Sequence, residues 1–365
     1  MENRIENRMK ETLPAKFYTD AKYFTEELEQ FYFKRWICVG RTEQIGKPGS
    51  YFLAEIGGES IIVTRSLEGK IHAFFNVCRH RGTRLCDKES GSFNGRIACP
   101  YHSWTYGLDG RLVGAPHMAD VVGFSMDNYS LHAVNCDTWD GHIFLDISKA
   151  AGKLQDQLGP LQEKFRAWRS EDLLIGKRIA YTVKANWKLI IQNYSECLHC
   201  PVIHPGLKKL THYLSGDNEP LSPHYLGGSM DLNEGVVTMS ATGKTDRQIF
   251  PHLSAEQRRH VYYYWVLPNL LLSFHPDYLM THTLWPRSAD VTEVICEWHF
   301  HPDEFKRADF NCEDAVDFWD AVNREDWHVS ELSQLGIQSR VYSPGPYSHR
   351  ETLLHGLDSI LTGGR

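Results

Sequence analysis

The sequence predicts an α+β protein in two parts, on three observations. Residues 49–147 hold short β-rich runs divided by glycine-containing turns, the texture of a small antiparallel β domain. Three long strands follow residue 234, and a long helix spans Asn311 to Gln338. Strands gathered in blocks with helices beside them describe a sheet with helices packed on it.

Taken in order, Thr25–Trp36 reads as a short helix, because Leu28, Phe31, Tyr32 and Trp36 recur at helical spacing. Tyr51–Leu53, Ser60–Thr64, Ile71–Val77, Arg96–Cys99 and Gly141–Ile147 read as strands. Ala150–Glu171 is more polar and helical and marks the boundary between the parts. Arg178–Val183 is a strand and Asn186–Cys200 a helix. Residues 205–234, rich in Gly, Pro, Ser and His, read as a long functional loop. The long strands are Gly235–Ala241, His260–Phe274 with a break at Pro268, and Tyr278–Trp285 continuing into Val291–Phe300. His349–Leu361 is a last, shorter helix. The expected limits are 38–150 for the β domain, and 1–37 with 151–365 for the second domain.

Composition narrows the function. The 365 residues are 42% apolar and 23% charged, which is globular. With 46 acidic against 39 basic residues the net charge is -7, so no basic excess meets a phosphate backbone and nucleic acid is not an expected partner. Nine cysteines are an odd number and no disulfide scaffold; they fit free thiols in a reducing compartment. Met1–Lys16 is charged and lacks an apolar signal core. No stretch approaches the roughly 18 uninterrupted apolar residues of a membrane helix. The expectation is a soluble, cytoplasmic protein with no membrane partner.

The strongest local signal is Cys78-Arg79-His80, then eighteen residues, then Cys99-Pro100-Tyr101-His102. Two loops, each after a short strand, supply two thiolates and two imidazoles. Such a set suits a tetrahedral zinc or a [2Fe–2S] cluster with mixed ligation. Zinc fingers pair Cys with Cys in one loop and His with His in the other. Here each loop carries one of each, which favours the cluster. Cys86 lies outside the pattern and reads as a packed thiol. The segments Asn76-Val77-Cys78-Arg79-His80-Arg81-Gly82 and Cys99-Pro100-Tyr101-His102-Ser103-Trp104-Thr105-Tyr106 resemble the Rieske domain of Rieske non-heme iron oxygenases.

A second constellation lies in the later half. On the helix expected from Asn186, the apolar stripe is Trp187, Ile190, Ile191, Tyr194 and Leu198. Glu196 and His199 lie roughly opposite it, about 60° apart. Pro201 is expected to end that helix, with His204 three residues on. The long C-terminal helix offers a carboxylate: Glu325 and Asp326 both fall near its stripe of Ala315, Phe318, Trp319, Val322, Val329 and Leu332, and periodicity does not choose between them. Glu331 points to the opposite side. Asn193-Tyr194-Ser195-Glu196-Cys197-Leu198-His199-Cys200-Pro201-Val202-Ile203-His204-Pro205 resembles the catalytic-domain motif of the same family, and the segment from Glu325 to Gly336 resembles the one whose aspartate ligates iron.

The resemblance covers about Phe17 to Leu361 and implies the rest. The fold is a Rieske domain plus a helix-grip (START-like) catalytic domain with an antiparallel sheet and a long C-terminal helix. Cys78, His80, Cys99 and His102 hold the cluster. His199, His204 and Asp326 form a 2-His-1-carboxylate triad for mononuclear Fe(II). Glu196 and Asn193 are catalytic. Glu196 bridges His199 to His102 of a neighbouring subunit, carrying electrons between the metals of a homotrimer or a multiple of trimers. The sequence has no Gly-x-Gly-x-x-Gly after a strand and no second ferredoxin-like cysteine cluster. Electrons from NAD(P)H therefore arrive through a separate flavin/ferredoxin-type reductase.

Glu rather than Asp at 196 resembles the quaternary-ammonium branch, acting on carnitine, glycine betaine or stachydrine; the alternative is ring hydroxylation of an aromatic acid or related arene. A cationic headgroup needs aromatic faces. Tyr262, Tyr263, Tyr264, Trp265 and Trp285 offer them, though only alternate residues of a strand face one side.

Overall fold

A computed structural model describes residues 10–362. Residues 1–9, within the charged start assessed above, lie outside the described part. The chain divides into two compact units: Glu29–Gln162, and the residues up to Leu28 together with those from Glu163 onward. The expected limits 38 and 150 fall inside the first of these.

In the first unit the strands are β1 (Ile37–Arg41), β2 (Ser50–Ile56), β3 (Glu59–Arg65), β4 (Ile71–Phe75), β5 (Ser90–Ser92), β6 (Arg96–Ala98), β7 (Thr105–Gly107), β8 (Leu112–Gly114), β9 (Ala133–Trp139) and β10 (His142–Asp146). A seven-stranded antiparallel sheet runs β1-β10-β9-β4-β3-β2-β5, and β6-β7-β8 form a separate three-stranded sheet. Ile61, Ile62 and Val63 of β3 are all fully buried, so this strand is covered on both faces. All five expected strands are present, with ends shifted by a few residues. β1, β5, β7, β8 and β9 were not anticipated.

The second unit carries β11 (Leu174–Val183), β12 (Asp217–Asn218), β13 (Tyr225–Asp231), β14 (His260–Val266), β15 (Leu270–Phe274), β16 (Leu279–Ser288) and β17 (Val291–Phe300). They form one antiparallel sheet in the order β11-β17-β16-β15-β14-β13-β12. The helices along the chain are α1 (Lys16–Thr19), α2 (Ala21–Glu27), α3 (Leu154–Leu158), α4 (Leu161–Lys164), α5 (Trp187–Tyr194), α6 (Cys200–Ile203), α7 (Glu313–Ile337) and α8 (Thr352–Thr362). The 25-residue α7 packs on α5 and β11, and α8 packs on β13.

Several expectations are corrected. The helix placed at Thr25–Trp36 starts earlier, at an Asp20 cap whose carboxylate accepts from Lys22 N–H, and passes at Leu28 into a π-helical turn. Residues 235–241 form turns rather than a strand, while part of the expected loop is strand β13. The break at Pro268 is a cis Leu267–Pro268 turn between β14 and β15.

The helix expected over Asn186–Cys200 is two helices. Asn186 caps α5 by accepting from Lys188 N–H, and α5 stops at Tyr194. Pro201 does not end the first helix; it sits in the opening turn of α6, where its missing N–H costs nothing. A helix continuous through Pro201 would drive the ring into the carbonyl of Cys197.

The stripe of α7 also drifts. Ala315, Phe318, Trp319 and Val322 are buried as expected, but Leu332 is exposed, and burial passes to Asn323, Trp327, Ser330 and Gln334. The reason is polar pairing. Gln334 accepts from Asn186 N–H at 2.9 Å, tying α7 to the start of α5. On the other side of α5, Lys188 makes a 2.6 Å ion pair with Glu27, and Trp187 Nε1–H donates to the same carboxylate at 3.1 Å. α5 is thereby fixed at its origin, before the site residues begin.

Candidate metal centres and cavity

In the first unit the loops 78–83 and 99–104 have the same hydrogen-bond pattern. Cys78 N–H donates to Thr83 O at 2.8 Å and Gly82 N–H to Cys78 O at 3.0 Å; Cys99 N–H donates to Trp104 O at 2.8 Å and Ser103 N–H to Cys99 O at 3.1 Å. Closing each loop requires a left-handed residue five positions in, supplied by Gly82 (φ 74°) and Ser103 (φ 58°). Asn76 pins the first loop from behind, accepting from Leu85 and Cys86 N–H and donating to Cys86 O.

This arrangement sorts the four expected ligands. The thiols of Cys78 and Cys99 are buried, while His80 is exposed and His102 partly so. The two imidazoles meet edge to face with centroids 4.8 Å apart, and His80 stacks on Trp104. Burial opposes ionisation of Cys99, but backbone N–H groups of Tyr101 and His102 outweigh it and hold the thiol below its ordinary range. Desolvation, then His80 and Arg81, lower the proton affinity of His102 and keep its ring neutral, the form a ligand needs. The Tyr106 hydroxyl lies 3.4 Å from Cys78 Sγ and accepts from Arg79 N–H. Burial pushes the Cys78 thiol up. Two thiols inside and two imidazoles outside fit a Rieske cluster. Cys86 is a packed thiol, pushed up to about 11 by burial.

In the second unit α5, α6 and α7 bring the other expected residues together. Asp326 Oδ1 lies 2.9 Å from His204 Nε2 and 3.5 Å from His199 Nε2. Glu325 contacts the other ring nitrogen of His204, Nδ1, at 2.6 Å. Glu196 hydrogen-bonds His199 Nδ1 and accepts from Leu198 N–H. Both imidazoles thus aim Nε2 at one point beside Asp326, with a carboxylate on each outer nitrogen, as ligand histidines require. Burial lowers the proton affinity of His199, but Asp326 and Glu196 outweigh it and raise its pKa to about 9. Burial pushes Asp326 up; its hydrogen bonds to His199 and His204 win and hold it below the usual carboxylate range. Two nitrogens and an ionised oxygen fit a facial iron triad.

A cavity of about 170 Å³ opens on this cluster. Asn193, Glu196, His199, His204 and Asp326 line it. Tyr263 and Trp265 of β14 face it, while Tyr262 and Tyr264 pack against Phe165 on the other face. Tyr194 and Trp319 add two rings beside Tyr263, with centroids 6.0 and 6.3 Å from it. Trp285, offered above as a further face, does not line the cavity.

Some residues escaped the sequence reading. Cys197 and Cys200 form a disulfide with Cα atoms 5.0 Å apart, so the cysteines are not all free thiols. The Cys-x-x-Cys spacing around His199 was the available signal. Arg350 and Tyr213 also line the cavity, and no local pattern marks them; Tyr194 and Trp319, read above only as members of apolar stripes, line it too.

A mixed Cys/His tip followed along one chain by a His, His, carboxylate cluster defines the class of Rieske non-heme iron oxygenases. The Rieske [2Fe-2S] domain family matches residues 35–129 and the ring hydroxylating alpha subunit (catalytic domain) family matches residues 170–362. The glycine betaine monooxygenase oxygenase subunit of Pseudomonas aeruginosa (strain UCBPP-PA14) is 32% identical over 92% of this chain and 85% of its own. The carnitine monooxygenase oxygenase subunit of Escherichia coli (strain K12) is 30% identical over 91% and 85%. The crystal structure of the quaternary ammonium Rieske monooxygenase CntA with L-carnitine matches with TM-score 0.79 and 26% identity, covering 97% of this chain and 94% of that one. The chain belongs to the ring-hydroxylating alpha subunits of Rieske oxygenases. It is an oxidoreductase whose cofactors are a Rieske [2Fe–2S] cluster and a mononuclear iron.

Proposed function

We propose that this chain is the terminal oxygenase of a Rieske system that hydroxylates or N-demethylates a quaternary ammonium compound. Cys78, Cys99, His80 and His102 hold the cluster, and His199, His204 and Asp326 hold the iron. Together these groups store electrons and activate O2 when bound. Glu325 orients His204 from behind, and Asn193 borders the space where oxygen and substrate meet. Glu196 fixes the outer nitrogen of His199 and is the bridge to a neighbouring subunit's His102. Electrons come from NAD(P)H through a separate flavin/ferredoxin-type reductase, and the working unit is a homotrimer or a multiple of it. A solved relative is described by its inter-subunit electron transfer, which supports this reading. Among the described residues no helix is long and apolar enough to cross a membrane; the proposed site of action is the cytoplasm.

The observation that carries the substrate class is the corner of Tyr194, Tyr263 and Trp319 beside the metal ligands. Ring faces attract a desolvated onium, for about 2 kcal/mol. The cavity is also smaller than the roughly 300–1,000 Å³ of pockets for drug-sized ligands, which suits a compact headgroup. The test is O2 uptake by the loaded enzyme with a matched reductase on carnitine, glycine betaine, stachydrine and a benzoate panel. Stimulation by a quaternary amine is expected; uptake driven only by benzoates overturns the reading.

A further inference from the structure

We infer that Arg350 is a specificity-determining residue that binds a carboxylate on the substrate, so that the enzyme acts on a zwitterionic betaine and not on a quaternary ammonium alcohol. The inference rests on the substrate class proposed above and narrows it.

The charges that line the cavity are unevenly partnered. Its two lining carboxylates, Glu196 and Asp326, are both engaged with His199 and His204 at the metal end. The lining also holds neutral rings, Tyr194, Tyr263, Trp265 and Trp319. Among the described residues Arg350 is the one Lys or Arg that lines the cavity. Among the described residues its guanidinium has no carboxylate partner, whereas buried Arg247 is paired with two aspartates. Arg350 is exposed, so it stays hydrated until a ligand arrives and its charge costs little to keep.

Its backbone is nonetheless fixed. Ser348 N–H donates to Glu351 Oε2 at 2.7 Å, Glu351 N–H donates to Ser348 O at 3.2 Å, and Arg350 N–H donates to Ser348 Oγ at 3.3 Å. Tyr347 anchors the segment to α8 through Asp358 at 2.7 Å, and Leu353 in the first turn of α8 lines the same cavity.

A cavity whose lining combines ring faces with one unpaired guanidinium can orient a dipolar ligand. The onium goes to the rings and the carboxylate to the planar fork of Arg350, which can grip both oxygens. That polarity turns the N-methyl groups toward His199, His204 and Asp326. An alcohol such as choline has the onium but offers no anion to the fork.

The experiment compares the full-length enzyme, loaded with its metals and coupled to a reductase, with its Arg350→Gln and Arg350→Lys variants on glycine betaine, carnitine and choline. Thermal midpoints report whether the exposed turn tolerates each change. In wild type the carboxylated amines are preferred over choline. In Arg350→Gln, KM for the preferred betaine rises by roughly tenfold or more, kcat changes less, and the preference over choline falls in step. Arg350→Lys restores part of it. A preference undiminished in Arg350→Gln, or a wild type that favours choline, overturns the assignment while leaving the quaternary-ammonium reading in place. No turnover of any quaternary amine by wild type overturns both.

Discussion

Asp326 and Glu325 are chain neighbours that take opposite nitrogens of one ring: Asp326 Oδ1 lies 2.9 Å from His204 Nε2, and Glu325 Oε2 lies 2.6 Å from Nδ1. The two carboxylates therefore have different chemistry to perform. Asp326→Asn is expected to lose the mononuclear iron and keep the cluster, lowering about three irons per chain to about two at an unchanged sulfide of about two. Glu325→Gln is expected to keep the iron and weaken its binding by roughly 10–100-fold. Metal analysis with a chelator titration reads both; the reverse pattern would make Glu325 the ligand.

Glu196 touches the outer nitrogen of His199 and is not placed to take its Nε2 partner. Glu196→Ala is accordingly expected to retain both metals and to lose reductase-coupled O2 uptake. Full coupled activity in that variant would mean that electrons do not depend on Glu196.

Tyr106 lies 3.4 Å from Cys78 Sγ with its hydroxyl held by Arg79 N–H. A hydrogen bond to a cluster thiolate stabilises the more electron-rich, reduced state. Tyr106→Phe is expected to lower the midpoint potential of the cluster with its visible spectrum and iron content retained. Redox titration decides, and an unmoved potential would remove the role.

The metal-free protein has its own pH signature. The folded pKa of His199 is raised from 6.5 to about 9, so folding favours its protonated form. That stabilisation is complete below the unfolded value near 6.5 and is lost as pH rises through about 9. Thermal midpoints of the metal-free chain should fall across this window. Iron must displace the same proton, so loading below about pH 9 should release acid and tighten as pH rises. A midpoint rising with pH would contradict an imidazolium held by Asp326 and Glu196.

What the sequence made legible follows the range of the contacts. Cys78 with His80, and Cys99 with His102, are close in the chain, so spacing alone exposes them. His199 and His204 are similarly near, although the helix leading to them was drawn too long, because period alone does not register a stop at Tyr194. Asp326 lies more than a hundred residues on, and periodicity left it level with Glu325. The family resemblance favours Asp326, and the fold turns it to Nε2 of His204 while Glu325 takes Nδ1. The strand misplaced at 235–241 and the unforeseen β9 reflect the same limit, since pairing partners and burial decide strands more than composition does. Trp319 reaches the cavity from α7 and Arg350 from the turn before α8, and nothing in their immediate neighbours announces a cavity role.

Gly227 and Gly228 of β13 also line the cavity. A Cβ at Gly227 would meet Tyr263 O and the Tyr264 ring, and one at Gly228 would meet Asp217 O, so neither position admits a larger residue. This stretch of wall is bare main chain held in register between β12 and β14. It cannot be trimmed to make room, because there is no side chain to shorten. Re-engineering the enzyme for bulkier substrates therefore has to proceed through lining side chains that can be shortened, such as Leu226, Met230 and Tyr213, and leave the main-chain ladder untouched.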